Sequence, residues 1–87
     1  MQFFACGVSF RETPLALRAR ASFTDTQKLE AIDRLAAAGA AQAAVLSTCN
    51  RSEIYLFAGE GEEAARALFL EREPALAPML FSLRGRE

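Results

Sequence analysis

Short apolar segments alternate with amphipathic ones along this chain, and their spacing distinguishes strands from helices. Apolar runs rich in strand-forming residues predict four β-strands, at residues 3–8, 43–46, 53–58 and 79–83. In the third of these, Ile54 and Leu56 alternate with Tyr55 and Phe57. Because side chains alternate along a strand, the two pairs are expected on opposite faces of a sheet.

Helix signals lie between these strands. Thr13 followed by Pro14 predicts the start of a short helix, with the threonine as the cap and the proline at the first helical position. Thr24 and Gln27 have the spacing of a capping box and open a longer helix, for which Gly39 is a natural end. The apolar face predicted for that helix consists of Leu29, Ile32, Leu35 and Ala36.

A second long helix is predicted at residues 62–70, where Ala65, Leu68 and Phe69 share one face. Pro74 and Pro78 are expected to end it and to hold the next connection extended. The order is βαββαβ, with an additional short helix after the first strand. This order predicts an α+β, ferredoxin-like fold: a four-stranded antiparallel sheet with helices on one face. Residues 1–87 are expected to form a single domain, and the completed fold suggests a domain boundary at its end.

Composition narrows the classes of function. Of the 87 residues, 52% are hydrophobic and 24% are charged, as is usual for soluble globular domains. The apolar runs are shorter than a membrane helix and the N-terminus lacks a signal-peptide pattern, so a cytoplasmic protein without a membrane partner is expected. The chain has no histidine, which excludes Ser-His-Asp and Cys-His catalysis, and two cysteines are too few for a structural zinc site. No metal is expected.

The net charge of −1 is unevenly distributed. Residues 1–52 contain six Lys and Arg against four Asp and Glu, whereas residues 53–87 contain four against seven. Two interpretations of the N-terminal arginines stay open. In the first, these arginines form a local patch that faces phosphate; in the second, they are ordinary solvated surface charges. The arginines concerned are Arg11, Arg18, Arg20 and Arg51.

One dinucleotide-like motif is present and is rejected. Gly59, Gly61 and Ala64 match the spacing of the dinucleotide-binding fingerprint between a strand and a helix. Three glutamates in the same stretch would face the pyrophosphate, however, and no acidic residue follows about 20 positions on to hold a ribose. Residues 59–64 are interpreted as a glycine turn before an acid-stabilised helix start, and no cofactor is expected on this chain.

The two cysteines differ in their neighbours. Cys6 lies within an apolar strand and is expected to be a small buried hydrophobe. Cys49 follows a strand directly and is flanked by Thr48, Asn50 and Arg51. The thiolate is the nucleophilic form of cysteine, and it requires exposure and nearby positive charge. The pattern alone leaves two alternatives for Cys49: a nucleophile, or a partly buried thiol at a strand end.

A resemblance to a known family bears on this choice. Residues 47–55 read S-T-C-N-R-S-E-I-Y and resemble the signature S-T-C-N-R-T-E-I-Y of glutamyl-tRNA reductase. Residues 7–18, G-V-S-F-R-E-T-P-L-A-L-R, are similar to the family's N-terminal G-x-N-H-K-T-A-P-x-x-x-R, and Phe23 resembles the phenylalanine that closes it. The resemblance covers essentially the whole chain and identifies it with the N-terminal catalytic domain of the family.

The resemblance implies a role for each matching residue. Cys49 would attack the ester carbonyl of glutamyl-tRNA, the expected partner, and form a glutamyl-thioester. Thr48, Asn50 and Arg51 would help to hold the glutamate. In the family, NADPH then reduces the thioester to glutamate-1-semialdehyde for tetrapyrrole synthesis. The NADPH-binding and dimerisation domains of the family are absent here, so any dimer would form through regions outside this chain.

The chain departs from the family pattern at two histidine positions, which here read Phe10 and Leu83. Leu83 is assigned by aligning residues 80–85 with the family's L-Y-x-H-x-G; it would lie near the substrate pocket, or alternatively in the core. An enzyme domain is the leading interpretation of the chain. The alternatives are a degenerate, noncatalytic binding module of the same fold and, less favoured, a thiol redox sensor.

Overall fold

The computed structural model describes residues 2–86 of the chain. Within them it contains four strands, three α-helices and one 3₁₀ helix. In chain order these elements are β1 (Gln2–Ser9), α1 (Leu15–Ala21), α2 (Asp25–Ala37), β2 (Ala40–Ser47), β3 (Arg51–Gly59), α3 (Glu62–Leu70), the 3₁₀ helix (Pro74–Met79) and β4 (Phe81–Arg86).

The four strands form one sheet in the order β2-β3-β1-β4, and all neighbours are antiparallel. The first and third strands of the chain are therefore central. Their register pairs Cys6 with Ile54 and Ser9 with Arg51, and the outer pair β2–β3 ends with Ser47 opposite Ser52. The predicted α+β, ferredoxin-like arrangement is confirmed.

The helices pack on one face of this sheet. Alternate residues of β3 are buried, as predicted, with Ile54 and Leu56 in the core and Tyr55 and Phe57 on the opposite, open face. The α3 face predicted from spacing is also confirmed. The main core side chains contributed by the sheet and helices are Phe4, Cys6, Val8, Ile54, Leu56, Ala31, Leu35, Ala65, Leu68 and Phe69.

The start of α1 and the buried face of α2 differ from the predictions. Pro14 occupies the cap position of α1 rather than the first turn, and the Thr13 hydroxyl instead donates to the Ser9 carbonyl (2.8 Å), which closes the turn after β1. The capping box of α2 is confirmed, but Leu29 is 66% exposed. The buried stripe of α2 is centred on Ala31 and Leu35, because that side of the helix faces the sheet.

The connection before β4 is helical rather than extended. Pro74 sits in the first turn of the 3₁₀ helix, where its fixed φ favours a helical start, and the Glu73 carboxylate accepts from the Ala75 N–H (3.2 Å). Strand β4 consequently begins at Phe81, two residues later than predicted. Gly39, with φ of 106°, ends α2 in the left-handed conformation expected of it.

None of the helices within residues 2–86 has both the length and the apolar character that a membrane span requires.

Candidate active site

The residues that carry the sequence motif form the tight turn between β2 and β3. We call residues 48–50 the Cys49 loop. The Thr48 N–H donates to the Arg51 carbonyl (2.8 Å), and the Thr48 Oγ1 accepts from the N–H groups of Asn50 (3.1 Å) and Arg51 (3.3 Å). Thr48 thus shapes the loop with its acceptor sites and keeps one hydroxyl proton that can donate to a ligand.

The Cys49 loop is attached to the end of β1. The Phe10 N–H donates to the Asn50 carbonyl (2.9 Å), and Ser9 lies opposite Arg51 in the β1–β3 register. The Thr13 hydroxyl also donates a hydrogen bond to the Ser9 carbonyl. The two sequence stretches that resemble the family, 7–18 and 47–55, therefore meet at this end of the sheet.

Hydroxyl groups anchor the base of the loop on the helix side. Ser47 Oγ and Ser52 Oγ lie 2.8 Å apart, and the Phe23 N–H donates to Ser47 Oγ (3.0 Å). Ser52 is fully buried. Because buried polar groups require partners, this small network fixes where the two strands diverge into the loop.

The two thiols occupy opposite environments. Cys49 is exposed at the tip of the loop, whereas Cys6 is fully buried in β1. Burial raises the pKa of the Cys6 thiol to about 12, and the nearby positive charge of Arg66 opposes this rise only in part. Cys6 is therefore an inert core residue, as predicted, and Cys49 is the thiol that a reagent or substrate can reach.

A cavity of about 370 Å³ opens beside the loop on the open face of the sheet. Of the four predicted site residues, Asn50 and Arg51 line it. Thr48 and Cys49 directly precede them in the chain but are not among the lining residues. The residues that line the cavity are Ser9, Arg11, Asn50, Arg51 and Glu53.

One acidic side chain lies in this cavity. Glu53 is 7% exposed and accepts a hydrogen bond from the Tyr55 hydroxyl, an interaction that raises the pKa of Tyr55. The Arg51 Nη1 lies 4.0 Å from the Glu53 carboxylate. Arg34 and Arg84, in contrast, each place two guanidinium nitrogens on a glutamate at 2.6–3.2 Å. Arg51 thus makes only a loose pair, which leaves its guanidinium donors available to a second carboxylate.

The sequence pattern does not predict Glu53 or Ser9 as residues of this cavity, and it groups Arg11 with Arg51 only as part of a phosphate-facing patch or as solvated surface charges. Strand alternation could have indicated Glu53. It is two positions from both Arg51 and Tyr55, so the three side chains lie on one face of the sheet. Ser9 and Arg11 required the β1–β3 register, which the sequence alone does not fix.

The two family histidine positions are located differently. Phe10 is part of the core, so only its backbone contributes to the site. Leu83 is 58% exposed on β4, opposite Ala5, and does not line the cavity. The alternative that placed Leu83 in the core is therefore wrong.

The glycine turn before α3 does not fit a bound dinucleotide. The first turn of α3 carries Glu62 and Glu63, and Glu62 is paired with Arg84, so negative charge occupies the helix start where a pyrophosphate would lie. Within residues 2–86, no three His, Cys, Asp or Glu side chains are grouped closely enough to hold a metal ion.

Comparison with known proteins is consistent across the chain. The family model of the glutamyl-tRNA(Glu) reductase N-terminal domain matches residues 6–86. The glutamyl-tRNA reductase of Marinobacter nauticus is 44% identical over 69 residues, which cover 78% of this chain and 16% of that protein. Glutamyl-tRNA reductase 2 of Anaeromyxobacter dehalogenans is 36% identical over 87 residues, 99% of this chain and 19% of that protein. The chain thus spans less than a fifth of the length of these curated relatives.

Proposed function

The chain belongs to the glutamyl-tRNA reductase family, as its N-terminal domain, and on that premise we propose that Cys49 is the nucleophile that accepts glutamate from glutamyl-tRNA. The observation that carries this proposal is the exposed Cys49 thiol on a loop whose neighbours Asn50 and Arg51 line an open cavity. Such an arrangement suits a covalent step on a ligand that enters from solvent.

The proposed step is a transfer of the glutamyl group from oxygen to sulfur. The Cys49 thiol loses its proton to solvent, and the thiolate attacks the ester carbonyl carbon of the aminoacylated tRNA. The new C–S bond forms as the bond from that carbon to the ribose oxygen breaks, and the tRNA hydroxyl takes up a proton. The product on this chain is a glutamyl-thioester at Cys49.

Arg51 is proposed to bind the side-chain carboxylate of the glutamyl group. Its guanidinium is exposed and only loosely paired with Glu53, at 4.0 Å. A planar guanidinium matches a carboxylate with two parallel hydrogen bonds, which also orients the attached carbonyl carbon. The Thr48 hydroxyl proton and the Asn50 side chain are proposed to hold the remaining polar groups of the glutamate.

In the longer family members, NADPH supplies the hydride that reduces the thioester to glutamate-1-semialdehyde for tetrapyrrole synthesis. The start of α3 does not fit that cofactor, so we propose that NADPH binds in a part of the longer relatives that this chain does not cover. A thioester on this chain alone passes to water, giving free glutamate and the regenerated thiol.

The test is deacylation of glutamyl-tRNA by the 87-residue chain. We expect slow release of glutamate, no aldehyde even with NADPH added, and complete loss of release in Cys49→Ser, because an unactivated hydroxyl is a far weaker nucleophile. Cys6→Ala is the matched control and should retain the activity. A Cys49→Ser chain that deacylates as fast as the parent would refute the covalent role, and retained tRNA binding without deacylation in the parent would favour a noncatalytic binding module.

The carboxylate assignment has its own measurement. Arg51→Lys keeps the charge but loses the two-pronged geometry, so we expect KM for glutamyl-tRNA to rise about ten- to a hundredfold, the worth of charged hydrogen bonds. Arg84→Met serves as control, because Arg84 is paired with Glu62 away from the cavity. An equal effect of both variants would contradict the assignment.

A further inference from the structure

The linker between α1 and α2, residues 22–24, contacts the base of the Cys49 loop. The Phe23 N–H donates to Ser47 Oγ (3.0 Å), although 24 positions separate the two residues. Ser47 is paired with Ser52 in the last rung of the β2–β3 ladder before the loop, and their hydroxyls lie 2.8 Å apart. The position of the linker is therefore coupled to the Ser47–Ser52 pair at the base of the loop.

Arg72 holds the same linker from the opposite side. It follows α3, and its Nη2 donates to the Ser22 carbonyl. Its guanidinium carbon lies 4.5 Å from the centroid of the Phe23 ring, and that ring makes an edge-to-face contact with Phe69, with centroids 5.4 Å apart. The Phe23 ring thus packs between the Arg72 guanidinium and the fully buried ring of Phe69.

The environment of the Arg72 guanidinium is energetically unfavourable for a charged group. Its Nη1 is buried and has no hydrogen-bond partner among residues 2–86, and burial lowers the pKa of the side chain. A charged group with an unsatisfied buried donor is a weak contributor to stability, since an apolar residue of similar shape would avoid the desolvation penalty. The planar Arg72 guanidinium can donate to the Ser22 carbonyl and lie against the Phe23 ring at the same time. A lysine ammonium cannot make both contacts.

We propose that Arg72 is a positioning residue for Cys49. It fixes the linker of residues 22–24 and, through the Phe23–Ser47 hydrogen bond, the conformation of the Cys49 loop. Its importance for the reaction rests on the proposed function, in which Cys49 is the nucleophile.

The test uses amide hydrogen exchange of the 87-residue chain well below its melting temperature. Arg72→Met keeps the length of the side chain but removes the guanidinium. Exchange of the Phe23 N–H and of the Thr48 N–H should become about three- to tenfold faster, the factor that one lost hydrogen bond represents. Arg66→Met is the matched control, because Arg66 lies on α3 and donates to Ser82 on β4 (2.6 Å), away from the loop. Equal acceleration at Thr48 in both variants would overturn the proposal.

A double-mutant cycle separates transmission through Ser47 from general loosening. Ser47→Ala removes the acceptor of the Phe23 N–H, so Arg72→Met should add little to its effect on Thr48 exchange. We therefore expect the double variant to exceed the larger single effect by less than about twofold. If the accelerations of Thr48 exchange by Arg72→Met and by Ser47→Ala multiply in full in the double variant, Arg72 does not act through Phe23 and Ser47.

The consequence for chemistry is measured by deacylation of glutamyl-tRNA. Arg72→Met should lower the rate constant of the bound complex, with a smaller change in KM, whereas Arg66→Met should leave both unchanged. Unaltered deacylation despite faster Thr48 exchange would overturn the positioning role. A parent chain without any deacylation would contradict the proposed function instead, and the exchange cycle would still decide whether Arg72 controls the loop.

Discussion

The backbone N–H of Phe10 donates a hydrogen bond of 2.9 Å to the carbonyl oxygen of Asn50, and this contact continues the β1–β3 pairing that joins the two motif-bearing stretches of the chain. The turn after β1 and the Cys49 loop are 40 positions apart in sequence but share one end of the sheet, because β1 and β3 are paired and Ser9 lies opposite Arg51. The cavity beside Cys49 is lined from both stretches, by Ser9 and Arg11 on one side and by Asn50 and Arg51 on the other.

The first prediction concerns the reactivity of the two thiols. At neutral pH, iodoacetamide should label exposed Cys49 at least about a hundredfold faster than buried Cys6, which reacts only through opening of the sheet. Site-resolved mass spectrometry of a labelling time course gives both rates. Labelling in 4 M urea, as a control, should bring the two rates together, whereas similar rates in buffer would mean that Cys49 is not accessible as the structure places it.

The element order and the burial of β3 were predictable because local signals agreed with each other. The capping box at Thr24, the glycine at position 39 and the alternation of Ile54 and Leu56 each act within a few residues. The buried face of α2 was not predictable in the same way. Leu29 is more hydrophobic than Ala31, but the orientation of the helix on the sheet decides which is buried, and that orientation depends on contacts distant in sequence.

The second prediction concerns the close approach of β1 and β3 beneath the cavity. A Cβ at Gly7 would lie 2.2 Å from the Ser52 carbonyl oxygen and 2.8 Å from the Glu53 Cα, both in the backbone. Gly7→Ala should therefore lower the free energy of unfolding by at least about 2 kcal/mol, measured by urea titration.

The matched control is Gly85→Ala on the edge strand β4. A Cβ there would meet the Phe3 side chain at 3.7 Å, an ordinary contact, so the change should stay within about 0.5 kcal/mol. Equal destabilisation by the two substitutions would show that glycine flexibility, and not the contact with β3, determines the effect at position 7.

The third prediction is an alkaline loss of stability caused by Cys6. Its pKa rises from an ordinary value of 9.0 to about 12 in the fold because burial disfavours the thiolate. Between these values the unfolded chain releases a proton that the folded chain retains, so stability is fully present below pH 9.0 and falls as the pH rises towards 12. The expected slope is up to ~1.4 kcal/mol per pH unit. Urea titrations at pH 8 and pH 10.5 measure it, and Cys6→Ala should show a distinctly smaller difference between them.

The candidate site was predictable only in part, for a physical reason. Residues 48–51 are consecutive, so their proximity follows from the chain itself. Arg11 and Ser9 reach the cavity through strand register. Arg72 reaches the loop through two successive tertiary contacts, from its guanidinium to Phe23 and from the Phe23 N–H to Ser47. Local patterns contain no information on contacts of this kind, because each depends on how separate elements pack.

The last prediction concerns Leu83, which stands at a family histidine position. Its neighbours Ser82 and Arg84 contact Arg66 and Glu62 of α3, so Leu83 faces the other way, on the open face of the sheet that also carries Glu53. Because the side chain is 58% exposed, Leu83→His should change the free energy of unfolding by less than about 0.5 kcal/mol. Leu35→His, at a fully buried position, is the contrast and should destabilise by at least about 2 kcal/mol.

Leu83→His should also increase the deacylation rate if the proposed function is right. An imidazole can donate to the substrate or transfer a proton, which is worth about 10²–10⁴-fold where the geometry is optimal, whereas leucine can do neither. Leu83 lies outside the lining of the cavity, so we expect a gain near the lower end of that range or below it. The gain should follow the protonation of the imidazole, which a pH–rate profile reveals against the histidine-free parent. A stable Leu83→His chain with an unchanged rate and pH profile would show that the open face of β4 does not reach the bound glutamyl group. The alignment of Leu83 with the family's histidine would then be wrong.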